Sequence, residues 1–435
     1  MRCETSISTL AAALLAALGT VPLAAQAATI GVTTTGDSGT AADCTLRQAI
    51  VSMNQGATTG TGCSASGIFG TGNTINFNTA AFPNGGTNTI TLASGALVIN
   101  ASLTIDATAN GNVTIDANHA SSVMKTAYSS SLDLNHLTLR NGNSGFGGGI
   151  NAGATSGGGS SLVLTNSTLS GNSATYQGGG ISIGTGGSLV LTNSTLTGNS
   201  APKGGGIYSL GPIALTDSTL SGNSASLGGG IFLNSASTGN SVTLTRSTLS
   251  GNSASNQGGG IRCYSNFVTV TLTNSTLSGN SAPVGAGICS TAGGLTLTNS
   301  TVSGNLATTS NGNSGGIFIS VGGTVFTANN SIIAGNTQPL GLDVNRYPDT
   351  GANNLIGFNP KLGPLADNGG PTQTMLPQPD SGVINAIPCT NVPPTDQRGM
   401  IRPDPASSNL ATPCDAGAVE ANSIPDEIFS DGFGP

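Results

Sequence analysis

The chain has 435 residues, a formal net charge of −7 at pH 7 and a pI of about 4.5. This acidic balance excludes the electrostatic attraction to phosphates on which nucleic-acid binding depends. Only 7% of the residues are charged and 67 are glycine, a composition typical of low-complexity sequence, but aliphatic residues recur at regular intervals as in a folded core.

The first 27 residues are predicted to be a secretory signal peptide. An apolar run, Leu10–Leu18, precedes an Ala-Gln-Ala cleavage site at Ala25–Ala27, as such signals require. Neither this run nor any later segment is long enough for a transmembrane span. The mature protein is therefore expected to be exported.

Residues 28–72 are predicted to form an N-terminal cap. The segment Cys44–Asn54 has apolar Leu46, Ile50 and Met53 at helical spacing. A short amphipathic helix there would cover an open strand edge.

Residues 73–340 are predicted to form a solenoid of β-strand coils, irregular at first. The clearest repeat is LVLTNSTLSGNSATYQGGGISIG, Leu162–Gly184, and the next copy begins at Leu189. The spacing between copies varies by several residues. It is measured between the Gly-Asn asparagines Asn143, Asn172, Asn199, Asn223, Asn252, Asn280, Asn305 and Asn336. Short strands with elastic turns tolerate such variation, so the pattern favours a pectate-lyase-like parallel β-helix, right-handed by the usual crossover rule.

Alternation within each copy places four aliphatic rows on the inside of the coils. Stacked on their neighbours, these rows predict one continuous apolar column. The rows are Leu162, Leu189, Ile213, Val242, Val270 and Leu295; Leu164, Leu191, Leu215, Leu244, Leu272 and Leu297; Leu169, Leu196, Leu220, Leu249, Leu277 and Val302; and Ile181, Ile207, Ile231, Ile261, Ile288 and Ile317.

Two polar rows behave differently from copy to copy. The Gly-Asn asparagine is the same in all six clear copies, which predicts a buried ladder of side-chain amides bonded along the stack. The residue before each Ser-Thr pair varies, which predicts a solvent-facing turn. This variable row is Asn166, Asn193, Asp217, Arg246, Asn274 and Asn299.

The residue after each isoleucine of the fourth row is predicted to face outward. In this outer row, Tyr208 and Phe232 are expected to stack, with Arg262 next in line. Exposed aromatic rings beside a guanidinium are a candidate ligand-binding site for a sugar or a partner protein. Stacking along the ladder without a ligand is the alternative.

Outward threonines form a second candidate surface, at Thr165, Thr192, Thr216, Thr245, Thr273 and Thr298. In three copies another threonine lies two residues earlier, at Thr243, Thr271 and Thr296. A flat Thr-x-Thr array would suit ice binding, although threonine is also a common solvent-facing strand residue.

Acid–base candidates are few, and no catalytic residue is assigned. Asp217, the one carboxylate in residues 141–340, is interpreted as a solvated turn residue. Asp133, His136 and Arg140 form the densest polar group and carry the one acid–base hypothesis. No cysteine or histidine spacing resembles a zinc site, and neither a metal nor a cofactor is expected.

Six cysteines follow the signal peptide, an even number that suggests disulfides in an exported protein. Cys263 and Cys289 lie one coil apart, but their registers point them to opposite faces, so their pairing stays open. The predicted disulfides are Cys44–Cys63 and Cys389–Cys414.

Residues 341–420 lose the repeat and become rich in proline and aspartate. They are predicted to form an irregular C-terminal cap, followed by a tail over residues 421–435.

Both flanks resemble known bacterial sequences. CTLRQAI at Cys44–Ile50 resembles the CSLREA motif, which follows the signal peptide of secreted repeat proteins. The coils resemble polymorphic outer-membrane and pectate-lyase-like β-helix repeats. DNGGPTQTM, TDQRG and CDAGAVE, within Asn354–Glu420, resemble the choice-of-anchor Q domain, which carries C-terminal sorting signals. The resemblance implies a protein at the outer surface of a Gram-negative bacterium or outside it, and implies no particular reaction.

The expected function is therefore structural or adhesive, without catalysis, and the expected partners are extracellular glycans or a host or neighbouring cell surface. Two alternatives stay open. A β-helix that binds or degrades polysaccharide, as a lyase or hydrolase, would show clustered acids or an aromatic row. An ice-binding protein would use the threonine array.

Overall fold

The computed structural model describes residues 26–39, 42–127, 129–153, 159–234, 239–265, 267–291, 293–309, 314–320, 324–337, 342–403 and 413–421. The predicted signal peptide and tail lie outside these residues, apart from Gln26, Ala27 and Ala421.

The described chain coils into a right-handed parallel β-helix, as predicted. The chain passes through four sheets, which are numbered here in the order in which a central coil crosses them. Sheet 1 contains Thr29–Val32, Ala65–Ser66, Asn73–Phe77, Leu103–Asp106, Ser131–Asn135, Ser161–Thr165, Ser188–Thr192, Ile213–Thr216, Asn240–Thr245, Val268–Thr273, Gly294–Thr298 and Val325–Asn329. Sheet 2 contains Thr89–Thr91, Val113–Asp116, Leu137–Arg140, Thr168–Ser170, Thr195–Thr197, Thr219–Ser221, Thr248–Ser250, Thr276–Ser278, Thr301–Ser303, Ile332–Ile333 and Leu355–Ile356.

Sheet 3 contains Asn143–Phe146, Ser173–Gln177, Ser200–Lys203, Ser224–Leu227, Ser253–Gln257, Ser281–Ala282 and Leu306–Ala307. Sheet 4 contains Leu97–Ile99, Met124–Thr126, Ile150–Ala152, Ile181–Ile183, Ile207–Ser209, Ile231–Leu233, Ile261–Cys263, Ile288–Ser290 and Ile317–Ile319. Neighbouring strands are parallel except Ala65–Ser66, which is antiparallel to Thr29–Val32. The four aliphatic rows predicted from the repeat lie on sheets 1, 2 and 4, and sheet 3 has none of them because its strands carry few aliphatic residues.

The four predicted aliphatic rows form the core. Every one of their side chains is at most 1% exposed, and all belong to one continuous cluster. Burial of such a side chain contributes roughly 1.5–3 kcal/mol, so the stacked rows explain why coils that could not fold singly form a rod.

The predicted asparagine ladder is present and buried. Asn223 Nδ2 donates to Asn252 Oδ1 at 2.9 Å and to the Leu196 carbonyl at 3.0 Å. The same pattern runs from Asn172 to Asn336, whose amide donates to Asp343 Oδ1 at 2.8 Å and so ends the ladder.

Asn143 does not join the ladder. It pairs in register with Ser173, so Gly142 occupies the ladder position and its backbone N–H donates to Asn172 Oδ1 at 2.8 Å. The Asn-Gly-Asn sequence at residues 141–143 therefore places the coil's asparagine one residue too late for the stack.

The predicted N-terminal helix, α1, spans Leu46–Gln55. Thr45 caps its first turn by accepting a hydrogen bond from the Gln48 N–H, and the Gln48 side chain accepts one from Thr45 in return. The predicted apolar residues Leu46, Ile50 and Met53 are buried in the main core, where their packing stabilises the helix.

The C-terminal residues fold back along the side of the rod, against sheet 2. An antiparallel hairpin joins Leu362–Ala366 to Thr374–Pro377. A second apolar cluster places Ile332 against Val383, Ile387 and Ala416. This lateral position covers the outer face of sheet 2 over its last coils.

Candidate functional site

The predicted aromatic row exists in register on sheet 4. Tyr208 pairs with Phe232, and Phe232 with Arg262. The two rings are stacked, with centroids 5.6 Å apart and planes 10° apart. The stacking predicted from the repeat is confirmed.

The predicted exposure of this row is wrong. Tyr208 is 7% exposed, Phe232 2% and Arg262 3%. The glycine triplet before each strand crowds the base of the outer row. Its first glycine is in the left-handed region, and a Cβ added at Gly258 would lie 2.8 Å from Cβ of Arg262. Alternation alone does not reveal this crowding.

The polar ends of the row bond within the protein. The Tyr208 hydroxyl bonds to the Asn234 side chain, and burial raises its pKa. Arg262 Nη1 donates to the Cys263 carbonyl, and its guanidinium lies 5.1 Å from the ring centroid of Tyr264. Ligand binding by Tyr208, Phe232 and Arg262 stays a prediction, but no open surface supports it.

The three residues of the acid–base hypothesis, Asp133, His136 and Arg140, do not form one cluster. Asp133 lies on sheet 1 and Arg140 on sheet 2. Arg140 bonds to Asp116 at 2.8 Å. His136 Nδ1 lies 3.0 Å from the Thr108 hydroxyl. Burial raises the pKa of Asp133, and Arg140 and His136 bond to groups outside the predicted cluster.

The variable turn row adopts the left-handed conformation in all six copies, with φ between 43° and 53°. Asparagine and aspartate tolerate this region best. In place of a solvated Asp217, the structure has an ion pair: its Oδ2 lies 2.6 Å from Nη2 of Arg246, on the neighbouring coil. Asn274 and Asn299 are buried, contrary to the prediction, and Asn274 Nδ2 donates to the Thr395 carbonyl at 2.8 Å.

The outward threonines of sheet 1 stack in register, as predicted. Seven neighbouring strands, from Ser161–Thr165 to Val325–Asn329, contain no charged residue. Thr243 pairs with Thr271 and Thr271 with Thr296, and their side chains are half-buried. We call the outward side chains of these seven strands the hydroxyl face.

The outer face of sheet 2 has two halves. Thr168, Thr195 and Thr219 are half-buried, whereas Thr248 and Thr276 are fully buried under the C-terminal residues. The repeat sequence is the same in both halves, so the difference comes from the folded-back segment.

Two ion pairs lie within the C-terminal residues that cover sheet 2. Arg402 Nη1 lies 2.8 Å from Glu420 Oε2, and Arg398 bonds to Asp396 at 2.8 Å. All four residues of the two pairs are at least partly buried. Burial raises the pKa of Glu420 to about 7, although the Arg402 guanidinium opposes the shift.

The sequence reasoning missed an exposed aromatic pair on sheet 3. The rings of Phe146 and Tyr176 are stacked, with centroids 5.3 Å apart, and Tyr176 is 62% exposed. The signal was the length of the segment between the Ser-Ala pair and the glycine triplet. It has three residues in the Tyr176 copy and two in the next.

Both predicted disulfides are present, Cys44–Cys63 and Cys389–Cys414. Cys263 and Cys289 are free and buried. Burial raises the pKa of Cys263 to about 12 and of Cys289 to about 11.

The described residues contain neither a three-residue metal site nor a membrane-spanning helix. None of their histidines, cysteines and acids forms a group of three suited to a metal ion. In the same part of the chain, no helix has the length and apolarity to cross a membrane.

One of three comparisons with known proteins gives a match, and it agrees with this geometry. No curated protein and no solved structure matches the chain. Residues 148–333 match the family model described as the right-handed β-helix region. The coils continue on both sides of that match, from Thr29–Val32 to Leu355–Ile356, and together they form a right-handed parallel β-helix repeat protein.

Proposed function

We propose that this protein is an exported, non-catalytic β-helix with an adhesive or structural role, and that the hydroxyl face is its contact surface. The observation that carries the proposal is the register of sheet 1. Seven neighbouring strands present hydroxyl-bearing and small apolar side chains without one charge.

Such a face suits an extended neutral partner. Threonine has a restricted χ1 angle, so little side-chain entropy remains to be lost when a partner binds. Hydroxyls donate and accept hydrogen bonds without the desolvation cost of a charge. Neutral glycans and the polymers of a neighbouring cell surface have the matching chemistry.

The central coils favour binding over catalysis. Glycoside hydrolysis needs two carboxyl groups roughly 5–10 Å apart. Residues 141–340 contain one carboxylate, Asp217, and the guanidinium of Arg246 already holds it. Surface attachment through Asn354–Glu420 belongs to the proposal because that section resembles a sorting domain.

The test introduces charge on the hydroxyl face without introducing repulsion. Thr216, Thr245 and Thr273 are neighbours in register, so the combined variant Thr216→Lys, Thr245→Glu, Thr273→Lys places opposite charges side by side. Its binding to cellulose, chitin and mannan particles and to whole cells should fall about tenfold. A desolvated charge accounts for a loss of that order.

The matched control is Ser255→Lys with Asn256→Glu, at exposed positions on sheet 3. It should bind as the unmodified protein does. Equal binding by both variants would remove the hydroxyl face from the proposal, and recovery of the protein only inside cells would remove export.

A second candidate is ice binding, favoured by the Thr-x-Thr pairs on three neighbouring strands: Thr243 and Thr245, Thr271 and Thr273, Thr296 and Thr298. Their hydroxyls form a grid of roughly 6.7 by 4.8 Å, from the strand rise and the strand spacing. Thermal hysteresis that disappears in Thr271→Leu would support it, and its absence in the unmodified protein would end it.

A further inference from the structure

We infer that Phe146 and Tyr176 form a carbohydrate-stacking site that takes a pyranose ring. This inference rests on the proposed glycan-binding role and adds a site to it, on sheet 3 rather than on sheet 1.

The first step is the irregular strand that positions Tyr176. Ser144 pairs with Ala174, but Phe146 pairs with Gln177, so the strand Ser173–Gln177 holds one residue more than its neighbour. Such a bulge leaves one residue out of the ladder and redirects side chains. Here the redirected side chains include that of Tyr176.

The second step is the fixed position of the ring. The Tyr176 ring stacks on Phe146 at 5.3 Å, with the two planes 30° apart. The edge of the Tyr176 ring lies beside Gly145, where an added Cβ would be in ordinary van der Waals contact with Cδ2 at 3.4 Å. Tyr176 is nevertheless 62% exposed. The two stacked rings, Phe146 and Tyr176, form a platform that is held in place before any ligand binds, which lowers the entropy cost of binding.

The third step is the charge of the surroundings. No charged residue occurs between Arg140 and Lys203, and one cation, exposed Lys203, pairs in register with Gln177 from the next coil. Exposed Thr175 and half-exposed Gln177 flank the ring with neutral hydrogen-bonding groups. An apolar ring face bordered by hydrogen-bonding groups matches a pyranose with equatorial hydroxyls, whose C–H face is apolar and whose rim is polar.

Intrinsic fluorescence provides the measurement, because the chain has five tyrosines and no tryptophan. Cellohexaose is the probe. We expect a saturable change in tyrosine fluorescence when cellohexaose is added. Calorimetry should show about tenfold weaker binding for Tyr176→Ala, as the loss of one aromatic contact implies.

Two variants keep the test sharp. Tyr176→Phe retains the ring and should bind cellohexaose as tightly by calorimetry. Tyr347→Ala removes an equally exposed tyrosine, 68% exposed and outside the platform, and should change nothing. Thermal melting checks that each variant is folded.

The inference is overturned if the unmodified protein binds no cellohexaose at millimolar concentration, or if Tyr176→Ala binds it unchanged. The charged variant on the hydroxyl face should leave cellohexaose binding intact. Loss of particle binding in that variant alone therefore tests the proposed function, and loss in Tyr176→Ala alone tests the stacking site.

Discussion

The side-chain amide of Gln397 donates a hydrogen bond to the hydroxyl of Thr248, 2.8 Å away and 149 residues earlier in the chain. The Gln397 Oε1 atom accepts a hydrogen bond from the Thr276 hydroxyl at 2.6 Å. One fully buried side chain thus joins the C-terminal residues to two neighbouring coils of sheet 2.

We expect Gln397→Ala to lower the free energy of unfolding by roughly 1–3 kcal/mol, because buried hydroxyls lose their partner. Urea denaturation measures the loss, and limited proteolysis should cut the C-terminal residues sooner. Gln378→Ala, at an exposed position, is the control. Equal stability of the two variants would show that the contact is dispensable.

A matched pair of threonines tests the covering of sheet 2. Thr248 is buried and Thr219, its partner in register, is half-buried. We expect Thr248→Val to cost roughly 1–2 kcal/mol more than Thr219→Val, because only Thr248 donates to the Gln373 carbonyl and accepts from Gln397. Chemical denaturation of the two variants side by side decides the matter.

The asparagine ladder should be intolerant of substitution. Asn252→Ala leaves the Leu220 carbonyl and the Asn223 backbone N–H without their partners inside the core. Each orphaned group costs roughly 1–3 kcal/mol, so we expect a loss of about 3 kcal/mol by urea denaturation. Asn256→Ala, exposed on the same coil, should be nearly neutral. A mild Asn252→Ala would mean that water enters the ladder.

Stability should fall as the pH rises from about 4.5 to about 7, the window set by Glu420. Its raised pKa means that the folded state holds this proton more tightly than the unfolded chain does. The stabilisation from Glu420 is therefore complete at pH values below its pKa in the unfolded chain. It is lost as the pH rises through its pKa in the folded protein. The expected loss is roughly 1–3 kcal/mol.

The variant Glu420→Gln should flatten the stability profile in that window, as followed by denaturation at several pH values. Asp37 and Asp116 have lowered pKa values, so their stabilising effects are lost only at more acidic pH. Asp367→Asn, at an exposed turn, should leave the slope as it is. A slope that survives Glu420→Gln would assign it to other groups, such as Asp343, whose pKa burial also raises.

The amino-acid sequence by itself determined the coils. Alternation and repetition identified inward rows such as Leu164 to Leu297, and invariance identified the ladder around Asn223, because these contacts repeat with the period of the chain. Helix α1 and the two disulfides were also predictable, since each depends on residues close together in sequence.

Only the tertiary structure decided which outward residues are accessible. Tyr208 and Phe232 stack as expected but are buried, which alternation does not encode. Thr248 and Asn274 repeat the sequence of exposed neighbours, and the C-terminal residues bury them from more than a hundred positions away. Tyr176 reaches the surface because one additional residue breaks the register of its strand. A periodic sequence fixes the inside of a solenoid, whereas the additional residues and distant segments that shape its outside do not follow the period.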